Sequence, residues 1–328
     1  MSDPNPIQML RQMAAGHVLP RCLQVVAELG VSDALDDTPC TAAELALTVG
    51  VNADALHRVM RLLASHGVFE LQGDKFGHSA ASQLLRSDHP RSMRPLARMM
   101  GLPINWASYG MLEHAVRTGR PSAEQVAAGG FWAHLDNNPQ EAAIFNAAME
   151  ARAQVQVAAV IAACDFARFS VIGDIGGGRG HLLRAVLDAA PVARGILFDL
   201  PQVVREVSPA GRLTLHGGDF FTDELPACDV YLVMEVIHDW DDQDTLTIFR
   251  AIRRAAAPGA RLLLIEWILT DEPGPQWTKT IDVHMLVVAG GRQRSITEFS
   301  NLFDRSGFRF EREIGTSVGI SIVEAVAV

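Results

Sequence analysis

Five residues able to exchange protons or hold polar ligands, Asp174, Asp199, Asp219, His238 and Glu266, stand at or just past the ends of successive apolar runs. Those runs are Ser170–Ile175, Gly195–Asp199, Leu213–His216, Val230–Val236 and Arg261–Glu266. Apolar runs of this length read as buried strands. An imidazole with an ordinary pKa of about 6.5 is the side chain best suited to take a proton near neutrality. Carboxylates beside it can orient the ring, accept hydrogen bonds from hydroxyls, or hold a cation.

The first of these acids leads into a glycine-rich turn, Asp174-Ile175-Gly176-Gly177-Gly178-Arg179-Gly180, and His181–Ala190 after it has helical periodicity. Glycines at a strand-to-helix turn let a ligand approach the backbone closely. Asp199 follows about twenty residues on, where a carboxylate accepts from ribose hydroxyls. The alternation Gly176, Gly178, Gly180 departs from the G-x-G-x-x-G spacing that admits a pyrophosphate. Asp174 before the turn would repel a phosphate and suit a cation. The two observations favour S-adenosylmethionine, with its amine and sulfonium, over a nicotinamide dinucleotide.

These strand ends need a framework to bring them together. From about residue 168 onward strands and helices alternate, which predicts an α/β fold built on a doubly wound sheet. Ligands of such sheets bind beyond the C-terminal strand ends, so the five polar residues are expected in one cleft. A helix over Ile296–Ser306 precedes two last runs, Phe308–Ile314 and Gly319–Ala327, joined by a short turn and expected to pair antiparallel. Upstream, Thr41-Ala42-Ala43-Glu44 is a capping-box start, Gly50 breaks that helix, and a second runs from Asn52 or Ala53 to about His66. With the glycine-punctuated stretch Gly67–Gly77 this spells a helix-turn-helix followed by a wing. The chain divides into residues 1–95, a helical connector over 96–165, and the α/β region 166–328.

Composition sets bounds on this reading. A chain of 328 residues that is 48% hydrophobic has ample material for two cores. A net charge of −10 argues against nucleic acid as the main partner. No run approaches the length of a membrane span, and Met1–Leu10 lacks a basic flank and an apolar signal core. Cys22, Cys40, Cys164 and Cys228 are scattered, without a C-x-x-C pair, as expected of reduced, buried thiols in a cytoplasmic protein. The acidic run Asp239, Asp241, Asp242, Asp244 opens the helical stretch Thr245–Ala257, where acids cap free N–H groups and complement the dipole; helix capping is preferred there to a magnesium site, and no metal is expected.

Taken in order, Asp174-Ile175-Gly176-Gly177-Gly178, Phe198-Asp199-Leu200-Pro201, Gly218-Asp219-Phe220-Phe221, His238-Asp239-Trp240 and Gly290-Gly291-Arg292-Gln293-Arg294 resemble the S-adenosylmethionine-dependent O-methyltransferases that act on caffeate-type and polyketide aromatic compounds. The likeness extends over nearly the whole chain, including Phe145–Arg152. It implies a Rossmann-like class I methyltransferase domain, mostly parallel with an antiparallel last strand, and an N-terminal winged-helix dimerisation domain making a homodimer. It implies cofactor contacts at Asp174, Gly176, Gly178, Asp199, Asp219 and Phe220. Arg152 would pair with the cofactor carboxylate, a helix-surface salt bridge being the alternative. His238 resembles the general base, oriented by Glu266 and by Gln293. A small aromatic acceptor is expected against Trp106, Phe131, Met149, Asp282, His284 and Met285, with Trp132, Phe145 and Val288 as further candidates.

Two positions depart from the pattern. Gln293 stands where many relatives carry glutamate, and Met234 where plant relatives carry lysine. Some members of the family have turned to hydroxylation or decarboxylation, which is the alternative reaction. A DNA-binding regulator using His57, Arg58 and Arg61 is the reading from another class, opposed by Leu56, Val59, Met60, Leu62 and Leu63 on the same helix, which suit burial.

Overall fold

The computed structural model describes residues 5–209 and 211–328; Met1–Pro4, part of the polar N-terminal run, lie outside it. The chain forms two compact units, one from residues up to Trp106 together with Leu135–Arg152, the other from Ala107–His134 and Ala153–Val328.

In the first unit, Thr41 caps the Ala42–Val49 helix in a reciprocal box with Glu44, and Gly50 ends it in the left-handed conformation. Asn52 caps the next helix, Ala53–Ser65, which buries Leu56, Met60 and Leu63 at helical spacing. A small sheet of β1 (Cys40–Thr41), β2 (Phe69–Gln72) and β3 (Lys75–His78) has the order β1-β3-β2. Phe69 and Phe76 carry its inner face into a core with Val26, Val31, Leu35 and Leu45. His57 is engaged by this wing, its ring edge-on to Phe76 at 5.6 Å. Arg94 ties the segment after the wing to Asp33 and to the Ala27 carbonyl of the Val18–Leu29 helix.

The second unit holds a seven-stranded sheet of β4 (Val171–Ile175), β5 (Arg194–Asp199), β6 (Leu213–Gly217), β7 (Val230–Met234), β8 (Arg261–Glu266), β9 (Phe308–Gly315) and β10 (Ser321–Ala327). The order is β6-β5-β4-β7-β8-β10-β9. The first five run parallel, and β10 lies antiparallel to both β8 and β9. The strand order therefore reverses between β4 and β7, which opens a crevice beyond their C-terminal ends.

Side chains alternate across this sheet into two cores. On one face Tyr231, Val233, Leu262, Leu264 and Val323 meet the helices Asp242–Ala255 and Ile296–Asp304. On the other, Ile172, Leu197, Leu232, Leu263 and Ile322 meet the His181–Ala189 helix and Val157 and Val160. Cys164 and Cys228 are buried, whereas Cys22 and Cys40 are only half-buried, a correction to the expectation for all four. None of the described helices is long and apolar enough to cross a membrane.

Glu324 is the charged residue within β10 and is 2% exposed. Arg168 and Arg312 reach its two oxygens at 2.9 and 2.7 Å, and Arg261 stands 3.7 Å away. The carboxylate so fastens β8, β9 and the loop before β4 to one strand. Glu324→Gln keeps the shape and removes the charge. It is expected to cost about 2 kcal/mol of unfolding free energy, read from the urea midpoint, because charged hydrogen bonds are the stronger kind.

Candidate active site

The turn after β4 carries Gly176 at φ +68°, in the left-handed region, and its amide donates to the Phe198 carbonyl at 2.8 Å. A β-carbon there would press within 2.9 Å of Val236, on the segment after β7, so glycine is what lets the two loops meet. Asp199 closes the turn from the next strand. Its Oδ2 accepts from Gly178 N–H and its Oδ1 from Leu200 N–H, both at 2.7 Å. Each oxygen keeps a lone pair for a further donor. Burial raises the Asp199 pKa, and the two amides oppose that rise.

Asp174 is placed differently from the sequence expectation of an acid facing a cationic ligand. It is 1% exposed and packs beneath Gly177, where it accepts from Leu183 N–H, and its Oδ2 has no partner. Burial, and then the charge of Asp199, push its pKa up to about 7. From beneath the turn Asp174 offers no exposed oxygen to a ligand.

The Asp219 turn follows directly, since Gly218 N–H donates to the Asp199 carbonyl at 3.0 Å. Asp219 Oδ1 accepts from Phe221 N–H, closing its own turn. Phe220 and Phe221 stand edge-to-face, and both stand edge-to-face with Trp240, at 6.0 and 4.8 Å respectively. This aromatic trio joins the β6 end to the turn that carries His238.

His238 sits in a short 3₁₀ turn, Ile237–Asp239, and is 7% exposed. Its Nδ1 lies 2.9 Å from Glu266 Oε2, while Glu266 Oε1 accepts from Ile237 N–H, also at 2.9 Å. One carboxylate from the end of β8 thus holds both the ring and the backbone of the turn. The turn is entered through Glu235 at φ +51°, the one non-glycine residue with positive φ among the described residues. Such a conformation costs on the order of 1–3 kcal/mol and persists where surrounding contacts enforce it. Burial alone would lower the His238 pKa. The charge and hydrogen bond of Glu266, with the charges of Asp239 and Glu235, outweigh it and raise the value to about 9.

The 290–294 loop clamps this turn. A β-carbon on Gly291 would collide with the His238 carbonyl, and Arg292 N–H donates to that same carbonyl at 2.9 Å. Arg294, 1% exposed, donates to Ile237 O at 3.1 Å, to Trp240 O at 2.8 Å and to Asp242 Oδ1. Its planar fork serves three acceptors, which an ammonium could not do in this geometry. Asp242 and its neighbours are accounted for in this way: Asp241 caps the Asp242–Ala255 helix through Gln243 and Asp244 N–H, and Asp242 receives Arg294.

Gln293 corrects a second expectation. Among the described residues no hydrogen bond joins its side chain to His238; the group 3.6 Å from Nε2 is the carboxylate of Asp239. The Gln293 backbone N–H donates to Asp282 Oδ1 at 2.8 Å, which commits Asp282 to bracing the loop. Its side-chain Nε2 is buried without a partner.

The remaining candidates fall in both units. His284 is buried on the Trp277–Val288 helix, its Nδ1 3.1 Å from Tyr109 Oη with the rings stacked. Met285 is buried on the same helix, and Phe131 is buried with its ring edge-on to Trp132. Trp106 belongs to the first unit, where its indole N–H donates to Gln24 at 2.8 Å. Met149 and Arg152 also belong to the first unit and are half-buried on the Pro139–Ala163 helix. Sequence reasoning missed Arg294 as the anchor, Glu235 and Asp239 as charges facing the imidazole, and Tyr109. The signal for the first was an arginine three positions past a double glycine.

Residues 109–309 match the O-methyltransferase domain profile, and residues 11–88 match the O-methyltransferase dimerisation domain. The phenazine O-methyltransferase PhzM of Lysobacter antibioticus is 39% identical over 96% of this chain and 95% of its own length. The mitomycin biosynthesis 6-O-methyltransferase of Streptomyces lavendulae is 38% identical over 93% of this chain and 90% of its own. An O-methyltransferase from neocarzinostatin biosynthesis, solved with S-adenosyl-L-homocysteine and 1,4-dihydroxy-2-naphthoic acid, superposes with a TM-score of 0.80 at 31% identity, covering 95% of this chain and 96% of that one.

Replacing Arg294 by methionine strands the carbonyls of Ile237 and Trp240 and the carboxylate of Asp242. Removing one side of a buried charged network costs about 3 kcal/mol or more, and calorimetric melting is expected to show a loss of that size.

Proposed function

Because the chain belongs to the S-adenosylmethionine-dependent O-methyltransferase family, we propose that it methylates a hydroxyl of a small aromatic metabolite, with His238 as the general base. The observation that carries this reading is the buried His238–Glu266 pair at 2.9 Å, on the segment after β7 that packs against the glycine turn held by Asp199. The residues present fit the cofactor. Two carboxylates under and beside the turn, one with an orphaned buried oxygen, suit a ligand that is cationic and lacks phosphate. When bound, S-adenosylmethionine supplies an electrophilic methyl group on a sulfonium.

Each residue then has a task. Asp199 receives the ribose hydroxyls with the lone pairs its two amide bonds leave open. Gly176 and Gly178 admit the methionine portion close to the backbone. Asp219 and Phe220 face the adenine. Phe131, His284 and Met285 supply the apolar and polar wall for the acceptor. The N-terminal domain, residues 1–95, carries the homodimer contact, and 166–328 hold the cofactor.

His238 takes the acceptor's proton on Nε2 while Glu266 holds Nδ1–H and stabilises the imidazolium that forms. Its high pKa has two consequences. A phenol near pKa 10 gives its proton to a base of pKa about 9 at little cost, far less than to an ordinary imidazole. The neutral ring needed for this is scarce at pH 7, roughly one molecule in a hundred.

The rate constant kcat/KM is therefore expected to rise with pH and level off above about pH 9. Glu266→Gln removes a charge that favours the imidazolium, so the rising limb shifts to lower pH while the plateau falls. A limb that does not move under Glu266→Gln assigns the titration to another group. His238→Ala is expected to lower turnover at least about 100-fold, with adenosylhomocysteine binding by calorimetry retained. Product mass showing a gain of one methylene equivalent supports methyl transfer; a gain of oxygen or loss of carbon dioxide overturns it. Asp199→Ala is expected to abolish the calorimetric signal for adenosylhomocysteine while leaving the fold intact.

A further inference from the structure

The side chain of Gln293 raises a question the reaction above does not answer. It is 1% exposed, and its Nε2 has no hydrogen-bond partner. A buried N–H group without an acceptor costs about 1–3 kcal/mol. Its location is fixed on both sides: Arg292 N–H bonds the His238 carbonyl, and Arg294 bonds the carbonyls of Ile237 and Trp240. Gln293 lies between these two anchors, with its own N–H held by Asp282. The orphaned donor therefore belongs to the loop that grips the base. The base's own two nitrogens are already faced by Glu266 and Asp239, so His238 does not use it.

Resting on the reading of His238 as the base, we infer that Gln293 donates a hydrogen bond from Nε2 to an acceptor atom on the substrate next to the reacting hydroxyl, a carbonyl oxygen or an aromatic ring nitrogen. The substrate class is then a phenol carrying an ortho or peri acceptor. In such a phenol the proton is shared internally with the acceptor. A donor from Gln293 takes over that acceptor and leaves the proton to His238. As the hydroxyl loses its proton, negative charge spreads through the conjugated ring onto the acceptor, where the amide N–H meets it. A glutamate at this position would accept instead of donate and would repel the developing anion. The amide so gives up charge beside the imidazole and acquires selectivity for the acceptor.

The test uses a matched pair of acceptors, 1-hydroxyphenazine and 1-hydroxyanthracene, which share a shape and differ in whether a ring nitrogen stands peri to the hydroxyl. Dissociation constants are measured by fluorescence on the full-length protein saturated with adenosylhomocysteine, for the wild type, Gln293→Leu and Gln293→Glu. The wild type is expected to prefer the phenazine by roughly tenfold, the worth of one buried hydrogen bond. Both variants are expected to lose that preference, and the near-isosteric glutamate keeps the comparison available should leucine disturb the fold. Equal affinities in the wild type, a preference that survives both variants, or no binding of either acceptor would overturn the inference. The separate reading of His238 fails on a different result: an active His238→Ala enzyme whose phenazine preference still depends on Gln293.

Discussion

The structure depends on one arrangement of buried charge: a guanidinium and a carboxylate closing on the same short turn from opposite sides. Arg294 takes the carbonyls of Ile237 and Trp240, and Glu266 takes the amide of Ile237 and the ring of His238. The turn between them begins with a non-glycine residue in the left-handed region, a conformation with a cost of its own. Neither clamp would suffice alone, because each satisfies polar groups that the other leaves bare. Ion pairing in an interior is weak evidence for stability but good evidence for a specified geometry. Here the specified geometry is the direction of an imidazole.

Charge also explains the character of the crevice. Asp174, Asp199, Asp239, Glu235 and Glu266 surround the strand ends, while Arg294 is consumed by backbone carbonyls and Asp242. The excess is negative, and it shows in the upward shift of His238, whereas Asp174 is raised first by burial and then by the charge of Asp199. A cation bound at these strand ends would favour ionised Asp174 and neutral His238 together.

Much of this was legible in the sequence. The strand runs, the capping box at Thr41, the break at Gly50, the wing and the antiparallel pairing of the last two runs follow from periodicity and glycine placement, and all appear in the structure within a residue or two. The residue types at the strand ends were visible as well. What sequence could not reveal is where side chains turn once the backbone is set. Asp174 looks exposed in a motif and is packed under Gly177; Asp282 looks like a pocket residue and braces a loop. Gln293 looks like a partner of the imidazole, yet the group 3.6 Å from its Nε2 is the carboxylate of Asp239, next in the chain to His238. Such assignments rest on long-range packing that no local pattern encodes.

The insertion of β10 between β8 and β9 has a bearing on how the protein is made. Glu266 pairs across the sheet with Ser321, and the outer edge of β8 has no other strand to cover it. While the chain emerges from the ribosome, the parallel strands can associate early, but that edge stays bare until residues 321–327 are synthesised. The carboxylate on which the imidazole depends is thus among the last groups to be shielded from water, and nascent chains stalled short of this point would present an open, apolar strand to their neighbours.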